Sequence, residues 1–278
     1  RDCPVMMIPS MHADLANDPV TTEIVDEIRH KGIEVHWGKE DEGKRKTPPH
    51  EEIVARFANY VNSSKTNRKS VVITLGATRS PIDDIRFIQN ISSGSTGFAI
   101  ADDLFRHGHD VTCVKGITTV PTPKWLPLII EADSPDEMLK ELFALSNDEI
   151  EAWIHSAAVL DYVVENSAEG KLASQQGPLD VKLIESPKHI LELTQKCHGS
   201  VRIGFKLETG IKQKELVRRA LAQIEYANMT AVVANRLEDI NDSSKPRAYL
   251  VDKTGSDFML QTIDDMCTAI RTLIERGN

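Results

Sequence analysis

From residue 70 onward, short apolar runs alternate with stretches whose apolar positions recur every three to four residues. Val71, Val72, Ile73 and Thr74 are β-branched and consecutive, which predicts a buried strand over Val71–Leu75 that Gly76 and Pro81 bring to an end. Runs at Asp110–Val114, Ala152–Ser156, Val201–Phe205, Thr230–Ala234 and Ala248–Val251 predict further strands. Between them, helical spacing appears over Phe98–His107 (Phe98, Ala101, Leu104, Phe105), Lys212–Ala227 (Leu216, Ala220, Ile224, Ala227) and Asp264–Arg276 (Met266, Ile270, Leu273, Ile274). Strands alternating with helices predict an α/β fold, a Rossmann-like doubly wound and mostly parallel sheet with helices on both faces. The first residues repeat the pattern on a smaller scale: a strand at Pro4–Pro9, helices at Val20–Lys31 and Glu51–Val61, and a strand at Gly32–His36. These are too few elements to bury a doubly wound core alone. The Ser-rich polar stretch Asn62–Lys69 reads as a linker, so the expected domains are 1–65 and 66–278.

The long first crossover draws attention because long connections are often functional. Before the Phe98 helix lie Ser92, Ser93, Gly94, Ser95, Thr96 and Gly97, small residues that let backbone N–H groups point at an anion where the helix dipole also favours one. An ordinary N-cap is the plainer reading of such a loop. Arg79, Arg86 and Asn90 just upstream favour a functional reading. Gly94 and Gly97 come too late after the strand for the dinucleotide fingerprint, and no Walker loop is present.

Other strand exits add candidates, since ligands of open α/β sheets bind beyond the carboxyl ends of strands. Ala157 and Ala158 allow a flat ligand to approach the backbone, and Asp161 either holds a divalent ion or caps the next element. His155 reads as a satisfied core or rim histidine. Gly204, Phe205 and Lys206 close another strand and Asn235 a third, whereas Lys171 in a polar loop reads as a solvated charge unless context says otherwise.

Composition narrows the class. The chain has 278 residues, 40% hydrophobic and 27% charged, as in a globular protein, and no apolar run of membrane-spanning length. A formal charge of −9 argues against a nucleic-acid surface. Cys3, Cys113, Cys197 and Cys267 are too dispersed for a zinc site or a disulfide framework, and a cytoplasmic protein with reduced thiols is the expectation. No signal peptide is seen, and Arg1 in first place suggests a fragment or processed chain.

Thr74-Leu-Gly-Ala-Thr-Arg-Ser-Pro-Ile-Asp83, Arg86-Phe-Ile-Gln-Asn-Ile-Ser-Ser-Gly94 and Ala157-Ala-Val-Leu-Asp-Tyr162 resemble phosphopantothenoylcysteine synthetase, the ligase half of the bifunctional coenzyme A biosynthesis flavoprotein. The resemblance implies a ligase joining 4′-phosphopantothenate to cysteine through an acyl-nucleotide, using CTP or ATP with Mg²⁺. It implies chemical roles for Asn90 and Lys171, and nucleotide contacts at Gly76, Ala157, Ala158, Asp161, Phe205, Lys206 and Asn235. It places Mg²⁺ at Asp161, the acyl substrate at Arg86, Ser92, Ser93, Gly94, Thr96 and Gly97, and suggests a homodimer. Around Lys171 the match is imperfect, because Leu172-Ala-Ser174 replaces the further lysines of the family. Pro9-Ser-Met-His12 and Asn17-Asp-Pro19 resemble the last third of the flavin-dependent decarboxylase that precedes the synthetase, making residues 1–65 a flavodoxin-like remnant. His12 stands where that family has an Asn, and Gly38–Lys44 lacks its Cys, so FMN binding is expected only if a complete decarboxylase domain is assembled. Two alternatives stay open: an FMN-binding subunit completed by a partner chain, and an NAD(P)-binding oxidoreductase.

Overall fold

The computed structural model describes residues 3–146, 149–174, 177–240 and 242–277. The chain separates into two compact units, one of Arg1–Thr66 with Phe105–Gly108 and one of Asn67–Leu104 with His109–Asn278.

In the smaller unit, helices Pro19–His30 and His50–Asn62 accompany a two-residue parallel pairing of Met6–Met7 with Glu34–Val35. Asp18 caps the first helix by accepting from the Val20 amide at 2.8 Å, with Pro19 at the opening position where a missing N–H is harmless. The strand expected over Pro4–Pro9 shrinks to two residues because a proline at each end cannot donate to a ladder.

The larger unit is built on an eight-stranded sheet. Its strands lie side by side in the order Leu128–Glu131, Asp110–Lys115, Ser70–Leu75, Ala152–His155, Val201–Glu208, Ala231–Arg236, Ala248–Asp252 and Asp257–Leu260. The first six run parallel, and the last two pair antiparallel at one edge. Numbered by chain position, the parallel strands follow 3-2-1-4-5-6, the doubly wound order whose direction reverses between the Ser70 and Ala152 strands. That reversal opens a crevice at their carboxyl ends.

Alternation along the strands assigns the faces. Val72 and Trp153 pack with Met138 and Leu142 of helix Pro135–Leu145, and Val232 and Val251 pack with Leu216 and Ala220 of helix Gln213–Ala227. Leu75 points the other way, against helix Ser95–Arg106: a Cβ on Gly97 would lie 2.4 Å from the Leu75 Cβ. An Arg271–Asp103 ion pair at 2.9 Å ties helix Ile263–Arg276 to that same helix.

Several local expectations change. The long crossover after Gly76 contains a hairpin that the sequence reading did not include, Arg79–Pro81 with Phe87–Gln89, its tip held by the Asp83 carboxylate accepting from the amides of Ile85 and Arg86 at 2.8 and 2.6 Å. The helix begins at Ser95 rather than Phe98, so Thr96 and Gly97 belong to its first turn. Strands Leu128–Glu131 and Asp257–Leu260 and helix Pro135–Leu145 were not expected, although Ser134 and Glu137 form a full capping box with Pro135 between them.

Candidate functional site

The crevice is prepared by a ladder of small polar groups across the reversal point. The amides of Ala157 and Leu160 donate to the hydroxyls of Thr74 and Thr78 at 3.2 and 2.9 Å. The Ala158 amide donates to the Gly76 carbonyl at 2.8 Å, and the Val164 amide to the Ser80 hydroxyl at 2.9 Å. Gly76 has φ of +80°, and a side chain there would meet the Ile117 carbonyl at 2.7 Å, so only glycine fits.

Over this ladder opens a cleft of about 740 Å³. Of the residues singled out in the sequence, it gathers Asn90, Ala157, Ala158, Asp161, Phe205 and Lys206. Asn90 is positioned by donating through Nδ2 to the carbonyls of Val159 at 3.0 Å and Ala158 at 3.3 Å, which sews the end of the hairpin to the Ala152 strand exit. Phe205 is half-buried on the cleft wall, and its strand does not end there as expected but continues to Glu208. Lys206 is not an independent charge, for its ammonium pairs at 3.2 Å with Glu208, which also binds Arg219 at 2.7 Å. Both cations hold the Glu208 carboxyl below its ordinary range against the opposing effect of burial.

Other expected residues lie elsewhere. Arg86 ion-pairs with the buried Asp83 at 2.7 Å beside a second, larger cleft of about 1060 Å³. Asp83 also accepts from the Leu172 amide at 3.1 Å, and these backbone bonds with Arg86 hold its carboxyl down although burial pushes it up. This latch anchors the loop carrying Lys171, which is itself exposed and outside the 740 Å³ cleft. Asn235 is half-buried and also outside it.

The Ser92–Gly97 cradle is partly self-satisfied. The amides of Gly94 and Ser95 turn toward the Ser92 and Ser93 hydroxyls at 3.4 and 3.3 Å, and the Ser93 carbonyl accepts from Thr119 at 3.2 Å. Gly97 is required for packing on Leu75, whatever ligand the loop meets. The loop gains a cation that no sequence spacing announces: Arg247 donates to the Thr96 hydroxyl at 3.2 Å from 151 residues away.

Two histidines join these residues, His155, read as core or rim from the sequence, and His189, which the sequence reading did not single out. Both line the cleft and both are buried, His155 at 8% and His189 at 6% exposure. Burial drives the His155 ring down to about 3, helped by the positive field of Arg202 and of His189. His189 falls to about 4 through burial, opposed by the Pro135 carbonyl from beyond hydrogen-bonding geometry and by Asp136. His155 sits at the buried rim as a core or rim histidine would, but it is not fully satisfied, since its Nε2 has no partner.

As for a metal, no group of three His, Cys, Asp or Glu side chains converges among the described residues. Asp161, exposed on the cleft wall, supplies one carboxylate, which suits a Mg²⁺ ion carried in by phosphates rather than one caged by protein.

Comparison with known proteins agrees with this architecture. A family model described as the DNA/pantothenate metabolism flavoprotein C-terminal domain matches residues 66–275. The coenzyme A biosynthesis bifunctional protein CoaBC of Thermococcus kodakarensis is 36% identical over 256 residues, which is 92% of this chain and 62% of that protein. The chain thus spans less than two thirds of that relative. Among solved structures, the DNA/pantothenate metabolism flavoprotein from Streptococcus pneumoniae superposes with a TM-score of 0.67 at 23% identity, covering 75% of this chain and 99% of that one. The C-terminal domain of a CoaBC protein gives 0.62 at 24% identity over 77% and 97% of the respective chains. These structures share the fold, and with the match over 66–275 the chain belongs to the DNA/pantothenate metabolism flavoprotein C-terminal domain family.

Proposed function

We propose that the larger unit is a phosphopantothenate–cysteine ligase that activates its acid with a nucleoside triphosphate, CTP or ATP. One observation carries this reading. The cleft at the sheet's reversal point collects Asn90, Ala157, Ala158, Asp161 and Phe205 in a chain of this family.

The chemistry follows from a poor leaving group. A carboxylate cannot expel oxide, so the carboxylate of 4′-phosphopantothenate attacks the nucleotide α-phosphorus, expelling pyrophosphate and leaving an acyl-nucleotide. The cysteine amine then attacks the acyl carbon, loses a proton and expels the nucleoside monophosphate. Ala157 and Ala158 let the nucleotide lie close to the backbone, and Phe205 offers it an apolar face. Asp161 is the cleft carboxylate that would hold Mg²⁺, which supplies charge neutralisation at the phosphates. Asn90 presents its side-chain amide where the acyl group is handled. Lys171 reaches the α-phosphate when its loop closes over the cleft, and Gly94, Thr96 and Arg247 bind the anionic end of the acyl substrate.

The reading includes a homodimer, for which the hairpin offers exposed Ile85 and Phe87 and the loop just after it exposed Ile91. It also takes residues 1–65 as the end of a decarboxylase-like domain. The 256-residue match to the Thermococcus protein supports this by reaching beyond 66–275.

The deciding experiment mixes the protein with Mg²⁺, 4′-phosphopantothenate, cysteine and either CTP or ATP, and follows pyrophosphate. Release that requires the acid is expected, and none with either nucleotide refutes the reading. Lys171→Gln is expected to slow acyl-nucleotide formation about tenfold, the worth of one charge-assisted contact. An unchanged rate would remove Lys171 from the mechanism.

A further inference from the structure

The floor of the cleft carries two histidines that the ligase reading leaves idle. Strand register brings the first into place: His155 pairs across the sheet with Thr74 on one side and Gly204 on the other. All three point to the cleft face, and Gly204 has no side chain to fill the space beside the imidazole. A Cβ there would meet the Gln223 carboxamide at 2.6 Å, so Gln223, itself 4% exposed, leans over that gap. His189 closes the wall from the segment before the Val201 strand.

The Nε2 atom of His155 and both ring nitrogens of His189 are buried and have no hydrogen-bond partner. Buried polar atoms are nearly always paired, and an unpaired one costs free energy. Three such atoms on two side chains that line one cleft point to a polar group that arrives with a ligand. Burial keeps both rings neutral, so each offers one donor and one acceptor and neither supplies a charge. Phosphates gain little from such a surface. A polar heterocycle bearing adjacent donors and acceptors matches it.

We propose that His155 and His189 bind the hydrogen-bonding edge of the nucleobase and so decide which nucleotide the cleft accepts. This rests on the nucleotide-dependent reading of the same cleft. Sites that hydrogen-bond a ligand group through buried polar atoms discriminate strongly against ligands lacking it, because their own groups are then left unpaired.

The test uses the full chain with Mg²⁺ and measures dissociation constants for CTP, ATP, UTP, GTP and inorganic tripolyphosphate. For His155→Phe and for His189→Leu, the ratio between the tightest and weakest nucleotide should shrink at least tenfold while tripolyphosphate binding stays within twofold. His155→Gln and His189→Gln, which keep hydrogen-bonding groups, should restore part of the ratio. An unchanged ratio, or an equal loss for all five ligands, overturns the proposal. Should the apolar variants fail to fold, ¹⁵N spectra of the parent decide. The ring nitrogens of both histidines should shift with the preferred nucleotide and not with tripolyphosphate, and identical responses overturn it. Acid-dependent pyrophosphate release by the parent with an unchanged nucleotide ratio in the variants would leave the ligase reading standing and remove only the histidines. A parent that binds no nucleotide would remove both.

Discussion

Lowering the pH from 7 to 5 should cost the native state about 4 kcal/mol through His155 and His189 alone, roughly 2 kcal/mol from each ring. Both pKa values are depressed in the fold, to about 3 and about 4, from an ordinary value of 6.5. Below about pH 6.5 the unfolded chain therefore binds protons that the native state refuses, and stability falls as pH falls until the folded pKa values are reached. The window from 7 to 5 lies above the ordinary carboxylate range, so it isolates the histidines from acid titration of Asp and Glu. The surroundings set the sign. Burial dominates for both rings, Arg202 adds its positive field at His155, and Asp136 only partly compensates at His189. Urea unfolding at pH 7, 6 and 5 measures the effect, comparing the parent with the His155→Asn, His189→Asn double variant. The parent should lose about 4 kcal/mol more across the window than the variant. Equal losses would mean that the two rings are solvated in the native state.

Why some of this was legible in the sequence and some was not follows from the range of the forces involved. The parallel strands were visible because burial on both faces demands continuous β-branched runs, as in Val71–Ile73 and Val232–Val233, and that demand is local. The helices Gln213–Ala227 and Ile263–Arg276 were visible through one apolar stripe each. The Asp257–Leu260 strand was not, because an exposed edge strand alternates weakly and three of its four residues face solvent. The hairpin of Arg79–Gln89 has apolar residues but no strand-like alternation of them, being held by the Asp83 carboxylate and cross-strand amides. At the site, small residues at strand exits marked Ala157, Ala158 and Phe205 correctly as neighbours, since topology alone brings parallel strand ends together. Arg247 and His189 reach the site through tertiary contacts far apart in the chain, and nothing in their local spacing announces them. Gly97 was expected to serve a ligand, and the structure adds a packing demand that the sequence did not announce, the close approach of its helix to Leu75.

Arg202 lies beneath His155 on the same face of the sheet, two residues before Gly204, and is 2% exposed. Its guanidinium donates to the carbonyls of Ala227 at 2.6 Å and Ile190 at 2.7 Å, and weakly to the Thr194 hydroxyl at 3.5 Å. Among the described residues no carboxylate pairs with it, so two backbone carbonyls and one distant hydroxyl are what offset a buried charge, and burial lowers its pKa. Two effects compete in Arg202→Met. Removing the charge relieves desolvation, while two carbonyls lose charge-assisted bonds of about 1.5–3 kcal/mol each and stay buried. Guanidinium is weakly hydrated for a cation, which keeps the first effect small, and methionine fills most of the stem volume without supplying a donor. The second effect should win by about 3 kcal/mol, lowering Tm by roughly 6–12 °C for a unit of this size. A variant as stable as the parent would show that the buried charge cancels its own hydrogen bonds. The same substitution carries a second readout, because Arg202 helps to depress His155. With the guanidinium gone, the His155 ring should titrate at a higher pH, measurable by NMR. A ring that does not respond would leave burial and His189 as its causes and disconnect this buried arginine from the floor of the cleft.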